Sequence, residues 1–264
     1  MPKIIDIIHK DDELLIINKP AGFSVTKDRT GKPDIVALLR KQLGPDETIL
    51  LVHRIDKPTS GIMLIARTKD AQRKYAGCFA KRKIEKTYLA IVSGVVPDDT
   101  GTIKRPIAPS KKQPGTVYVS PRRGKQAVTE YRLLADFGLA ALVAANPITG
   151  RTHQIRIHFA DIGCPLAIDP LYGSSNPLLL SDFKPKYRLP EGKTERPLIE
   201  TLTLHAYQIT LPADETHTKP RKFTAPLPKK FNAAIKMLTK HNPAGPDAFL
   251  NYSDFERITN SDPI

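Results

Sequence analysis

Apolar residues fall along this chain mostly in short β-branched runs separated by polar turns. Ile4-Ile5-Asp6-Ile7-Ile8, a polar stretch over His9 to Glu13, and Leu14-Leu15-Ile16-Ile17 read as strand, turn and strand. Asn18-Lys19-Pro20-Ala21-Gly22 then supplies turn chemistry. Helical spacing first shows from Asp34 to Leu43. Ile35, Leu38, Leu39 and Leu43 share one face there, with Asp34 as N-cap and Gly44 past the end. Thr48 to Val52 and Ile62 to Ala66 are expected strands on either side of the turn His53 to Gly61. Asp70 is expected to cap a second helix, with Tyr75, Cys78 and Phe79 inward and Lys81-Arg82-Lys83 in its last turn.

Further on, Glu85 to Val92 reads as a strand and Thr102 to Ile107 as a short one. Ala127 to Leu134 and Leu139 to Ala145 read as a pair around Asp136-Phe137-Gly138. Thr152 is expected to cap a helix from His153 to about Ile162. Ile155, Phe159 and Ile162 face one way on it, and His153, Arg156 and Ala160 another. A strand over Thr201 to Leu211 and a helix over Phe231 to Lys240 close the pattern.

Two stretches follow no period. Ala108 to Gln126 spreads Lys111, Lys112, Arg122, Arg123 and Lys125 among Pro, Gly, Ser and one aromatic, Tyr118, and is expected to be a long basic loop or hairpin. Ser174 to Glu200, rich in Pro, Lys and Ser, reads as an exposed excursion with a short helical piece at Leu178 to Asp182. Many short strands and few helices point to an α+β fold, a mixed and largely antiparallel sheet flanked by helices and loops. With no repeat or linker, residues 1–240 are expected to form one domain, and 241–264 a polar, loosely held tail.

Charge sharpens this picture. The 264 residues carry a formal charge of +14, which favours a polyanionic partner, nucleic acid before membrane. Without a membrane-length apolar run or a signal segment, the expected location is the cytoplasm. Cys78 and Cys164 have no metal-binding spacing. His153 and His158, five apart, lack the i, i+4 placement of a zinc helix, and His53 and His205 stand alone. Ser60 has no nucleophile elbow, and no phosphate loop or dinucleotide fingerprint occurs, so neither a metal nor a cofactor is expected. What remains is Asp56, in a turn with Arg54 and Lys57 as near neighbours that keep it ionised. One carboxylate without a metal can act at a sugar's anomeric carbon or on the proton beside it. If the bond is the glycosidic bond of uridine, the base is itself a competent leaving group and no second acid is needed.

His53-Arg54-Ile55-Asp56-Lys57-Pro58-Thr59-Ser60-Gly61 resembles the signature of the RluA-type pseudouridine synthases, whose aspartate is catalytic. The similarity continues in order. Asn18 to Gly22 is similar to the N-terminal motif and Lys86-Thr87-Tyr88 to the second. Gly150-Arg151-Thr152-His153-Gln154-Ile155-Arg156-Ile157-His158 is similar to the third, and Asp169-Pro170-Leu171-Tyr172-Gly173 and Leu204-His205-Ala206 follow. The match spans roughly Ile7 to Phe231. It implies a cofactor-free isomerase, expected to be a monomer, acting on structured RNA, either ribosomal or transfer. Asp56 would act at the ribose as nucleophile or as base. Tyr88 would lie against the target base and take its carbon-5 proton, and Arg156 would pair with Asp56. Arg54 would replace the flipped base in the stack, and Leu204 would line the pocket.

Two departures bear on substrate choice. Many relatives carry a small RNA-binding domain in front, whereas this chain begins almost directly with the catalytic domain. Selection is therefore expected from loops, above all from Lys111, Lys112, Arg122 and Arg123 in the basic segment, with Lys184, Lys186 and Arg188 adding contacts. Ile168 stands where the family usually has Gly, which puts the local pocket geometry in question if that Gly serves a positive-φ turn. The competing readings are a catalytically idle RNA-binding or chaperone module on the same fold and, more weakly, a carbohydrate-active enzyme. The intact Asp56, Tyr88 and Arg156 set argues against the first, the basic loop against the second.

Overall fold

A computed structural model of the chain describes residues 5–28, 31–184, 187–189, 192–242, 244–260 and 262; Ile4 and Lys186 lie outside them. The first apolar runs form β1 (Asp6–Lys10) and β2 (Leu14–Lys19), paired antiparallel across a turn in which Asp11 accepts the backbone N–H groups of Glu13 and Leu14. Helix α1 (Ile35–Leu43) starts where Asp34 accepts the Ala37 N–H at 2.8 Å and stops at Gly44. Strand β3 (Leu50–Leu51) and the wholly buried β4 (Ser60–Ala66) flank the Asp56 turn. The cap of α2 (Lys69–Ala80) is Thr68, not Asp70. Its hydroxyl takes the Ala71 N–H, while Asp70 falls inside the first turn and pairs with Arg73 on the surface.

The chain continues through β5 (Glu85–Ser93), β6 (Thr100–Lys104), β7 (Ile107–Pro109), β8 (Val117–Val119), β9 (Val128–Asp136) and β10 (Ala140–Pro147). The single strand expected over Thr102 to Ile107 is thus broken, with Arg105-Pro106 between its parts; a proline cannot donate to a ladder. Helix α3 (Gln154–Asp161) is not capped by Thr152. His153 holds the cap position in the left-handed region, φ 52°, with no side-chain cap. Nor does α3 have one buried and one free face, since Gln154, Arg156 and His158 are buried as well as Ile155 and Phe159. After a short 3-10 turn at Leu180–Asp182 come β11 (Leu204–Leu211), β12 (Arg221–Thr224) and α4 (Lys229–His241). Strand β12 has one apolar residue in four, too little pattern to read from sequence.

The expected loose tail is instead folded into a 3-10 turn and α5 (Tyr252–Asn260). Phe249 stacks edge-on against Phe137 and Phe255, Ile258 is fully buried, and Asp254 takes Arg132 at 2.7 Å. Sparse apolar residues among many polar ones suffice because Ala248, Phe249 and Ile258 land on the core, although Leu250 stays exposed.

The chain divides into two compact units. The first holds the chain up to Thr87 together with His205–Pro226, and the second holds Tyr88–Leu204 and Leu227–Asp262. In the first, the strand order is β1-β2-β4-β11, with β3 on β4 and β12 on β11; β4 and β11 are parallel, the other pairs antiparallel. Its core packs Leu15, Ile17, Met63 and Ile65 of the strands against Ile35 and Leu39 of α1. In the second, β5-β10-β9-β6 are all antiparallel, and Val92, Val143 and Leu133 pack against Ile155 and Phe159 of α3. The fold is α+β, a mixed and mostly antiparallel sheet with helices.

Candidate active site

In the first unit the Asp56 turn is gripped from the N-terminal motif. The Lys57 carbonyl accepts the Gly22 N–H at 2.9 Å and the Lys19 ammonium at 3.2 Å, and Lys19 Nζ also reaches the carbonyls of Pro20 and Phe23 at 3.0 Å each. Three acceptors around one nitrogen suit an ammonium, which has three donors. Lys19 is fully buried at the end of β2. Burial pulls its pKa down to about 7, against the opposing field of the Asp56 carboxylate. Sequence reasoning passed over this residue as turn chemistry. The signal was there: β2 runs through four buried apolar residues and ends in Asn18 and Lys19. Lys57, the nearest cation in sequence, is turned to Asp28 at 2.6 Å. Asp56 is half-buried, Arg54 is exposed, and Thr59 N–H closes the turn onto the Asp56 carbonyl at 3.1 Å.

The far side of the turn is locked by β11. Ser60 Oγ donates to His205 Nδ1 at 2.8 Å, and the other ring nitrogen gives its proton to the Ala225 carbonyl at 3.2 Å. Burial pushes His205 down to about 4, so the ring is neutral at physiological pH, as this tautomer requires. Gly61, φ 114°, lies opposite Ala206, where a Cβ would stand 2.1 Å from the Ala206 carbonyl oxygen. His53 is likewise structural. Its Nε2 accepts the Leu64 N–H at 2.9 Å, its ring stacks on Phe79, and burial, with Lys86 adding to it, lowers its pKa to about 3.

In the second unit Arg156 is only 2% exposed, and its guanidinium is forked onto Asp169, Nε to Oδ2 at 2.8 Å and Nη2 to Oδ1 at 2.6 Å. The same guanidinium lies over the Tyr172 ring at 5.2 Å. The Tyr172 hydroxyl accepts the Val117 N–H of β8 and reaches His153 Nδ1, both at 2.9 Å. Behind them a buried polar chain fixes the start of α3. Gln154 bonds the Val128 carbonyl and the Thr129 and Thr149 hydroxyls, and His158 bonds Thr129 and the Arg105 carbonyl. Ile168 causes no strain. It is buried, donates its N–H to the Thr203 hydroxyl, accepts the Thr203 N–H at its carbonyl, and is not among the positive-φ residues, so the turn needs no glycine.

Tyr88 is half-buried and packs, with Leu204 at 3% exposure, on the same apolar cluster as Ile155 of α3. The basic segment is a hairpin of β7 and β8, Ile107 opposite Val119. Lys111 and Lys112 sit exposed in its turn, and Arg122 and Arg123 are exposed in the turn that follows, which closes from Gly124 N–H to the Ser120 carbonyl. The first unit therefore assembles Arg54, Asp56 and Lys19, and the second assembles Tyr88, Arg156 and Leu204 with the hairpin.

A family model described as RNA pseudouridylate synthase matches residues 13–161. The ribosomal large subunit pseudouridine synthase C of Vibrio vulnificus is 34% identical over 235 residues, 88% of this chain and 69% of that protein. A Zymomonas mobilis protein named as an uncharacterized RNA pseudouridine synthase is 35% identical over 228 residues, 85% of this chain and 94% of its own. Among solved structures, human RNA Pseudouridylate Synthase Domain Containing 4 superposes with a TM-score of 0.67 at 29% identity, covering 88% of this chain and 92% of that one.

Proposed function

The chain belongs to the RluA-type RNA pseudouridylate synthases and is an RNA pseudouridine synthase; from that premise we propose that it isomerises specific uridines of ribosomal RNA through Asp56. The reaction breaks the bond from ribose carbon 1 to uracil nitrogen 1, turns the base, rejoins it through carbon 5, removes the carbon-5 proton and leaves nitrogen 1 protonated in its place. Atoms balance without a co-reactant. Asp56 acts at the ribose, either attacking carbon 1 or taking the proton from carbon 2. Tyr88 lies against the base and receives the carbon-5 proton. Arg156 keeps the Asp56 carboxylate charged and aimed. Arg54 fills the gap in the stack, and Leu204 forms part of the apolar wall. Lys111, Lys112, Arg122 and Arg123 take RNA phosphates. The enzyme works as a monomer in the cytoplasm. Ribosomal rather than transfer RNA is favoured by the names of the large-subunit relatives.

The observation that carries this reading is the hold on the Asp56 turn. Lys19 and Gly22 on one side, and Ser60 and Gly61 on the other, leave a carboxylate on a rigid loop, which is what positioning at a reacting carbon needs. The test is conversion of uridine in large-subunit ribosomal RNA by purified protein. Asp56→Asn is expected to lose activity by roughly 10^3-fold or more. Equal product from both proteins would remove Asp56 from its role, and product in transfer RNA alone would move the substrate.

A further inference from the structure

Lys81, Arg82 and Lys83 fall past the end of α2 rather than in its last turn, and all three are exposed. Cations at such a place commonly cover the free carbonyls of a helix C-terminus. Here the backbone does that instead. The N–H groups of Lys81, Arg82 and Lys83 reach the carbonyls of Gly77, Phe79 and Cys78 at 2.9, 3.1 and 2.9 Å. Among the described residues their side chains have no ion pair and no hydrogen bond. Glu85, the nearest acid along the chain, is exposed and pairs with none of them, so three cations stand against one acid. Arg82 also holds an unfavourable backbone. Its φ is 56°, the left-handed conformation that a helix stop of this kind usually gives to glycine. The arginine side chain makes no contact within the protein that would offset this strain, which points to a partner outside it.

Two contacts aim this end of α2 at the Asp56 turn. Gln72 Nε2 donates to the Leu51 carbonyl of β3 at 3.0 Å, and two helical turns later the Phe79 ring stacks on His53 with centroids 4.4 Å apart. His53 is itself pinned to β4 through the Leu64 N–H. Arg54 and Asp56 come one and three residues after His53, and the three cations come two to four after Phe79. Fully extended, those stretches reach at most ~10 and ~14 Å from the stacked rings. The cations and the turn therefore belong to one neighbourhood of the first unit. Three flexible, unpaired cations in a row suit a polyanion with repeated charges; one small anion would leave two of them without a partner.

We propose that Lys81, Arg82 and Lys83 hold phosphates of the RNA strand beside the target uridine, a contact separate from the β7–β8 hairpin and centred on Arg82. It rests on the reading that Asp56 acts on uridine in RNA. Its consequence is register: the strand is held by the element stacked on the start of the catalytic turn, so its placement at Asp56 does not depend on the hairpin.

Arg82→Gly separates charge from structure, since glycine keeps the left-handed stop and removes only the side chain. On a large-subunit ribosomal RNA transcript it is expected to raise KM roughly three- to thirtyfold, with the loss in KM rather than kcat. Its thermal midpoint should be no lower than that of wild type. Arg82→Lys keeps the charge and should stay within about threefold of the wild-type KM. Changing all three residues to glutamine should lower the steepness of log affinity against log salt by about 2. Phosphate ethylation locates the contact. Ethyl groups within about ten nucleotides of the converted uridine should weaken binding to wild type but not to the triple variant. A KM for Arg82→Gly within twofold of wild type, or the same ethylation pattern in wild type and triple variant, would overturn the proposal. A lowered midpoint together with a fall in kcat would overturn it too, by making Arg82 a residue of the fold. If wild type converts no uridine, the substrate reading fails and the salt dependence decides alone: equal steepness refutes the contact, and a drop of about 2 upholds it as an RNA contact.

Discussion

At Gly61 the backbone is in a conformation that L-residues avoid, and the space a side chain would need is already filled by the Ala206 backbone. Gly61→Ala must therefore part β4 from β11 just beside the Asp56 turn. It is expected to destabilise the protein by about 3 kcal/mol or more in a denaturant titration and to lower activity with it; a loss under ~1 kcal/mol would show that the parallel crossing can yield. Lys19 makes a different kind of demand. Unfolded, its amine keeps a proton up to about 10.5; folded, only up to about 7. Between those values unfolding takes up a proton, so stability attributable to this group rises with pH across the window, by ~1.4 kcal/mol per unit and on the order of 5 kcal/mol in all. Lys19→Met removes the titration. Wild-type stability measured relative to the variant should climb from pH 7 to 10, and parallel curves would show that the buried amine does not titrate there. The residue identities around Asp56 were legible because they form a contiguous motif. The cation closest to that turn in effect was not, because Lys19 reaches it only after β2 has folded alongside β4.

Elements with a full apolar face could be read directly, and those organised by polar contacts could not. Helix α1 shows its cap, its stripe and its glycine stop in sequence, and all three hold. Helix α3 shows a plausible stripe and cap, but a network from Gln154 to Thr149, Thr129 and Val128 sets its start and buries both its faces. Spacing alone carries no trace of that network. Tyr172 ties this helix to the basic hairpin, since one hydroxyl holds the Val117 amide and the His153 ring while its own ring supports Arg156. Tyr172→Phe keeps the ring and removes both hydrogen bonds. Amide exchange at Val117 should quicken roughly fivefold or more, and the KM for RNA should rise more than kcat falls, because the hairpin loosens while the Arg156–Asp169 fork stays. Unchanged exchange at Val117 would mean that β7 pairing alone holds the strand.

Over the whole molecule, the charge of +14 says that the partner is anionic but not where it lies. Internal pairs such as Lys57 with Asp28, Arg67 with Glu47, and Lys74 with Glu13 and Asp214 leave that excess intact, because each acid is already counted in it, but they take those cations out of the set that can meet RNA. Such pairs have no sequence signature, which is why composition gives the size of the excess but not the cations that carry it to RNA. The hairpin residues Lys111, Lys112, Arg122 and Arg123 are all exposed, on a two-stranded element too small to need them for its own stability. If each neutralises one phosphate, the fourfold change to glutamine should lower the steepness of log affinity against log salt by about 3, with the largest loss of binding at low salt. The same substitutions should leave thermal stability within about 0.5 kcal/mol, since surface cations away from partners contribute little. An affinity that stays equally steep in salt would take the hairpin off the RNA path.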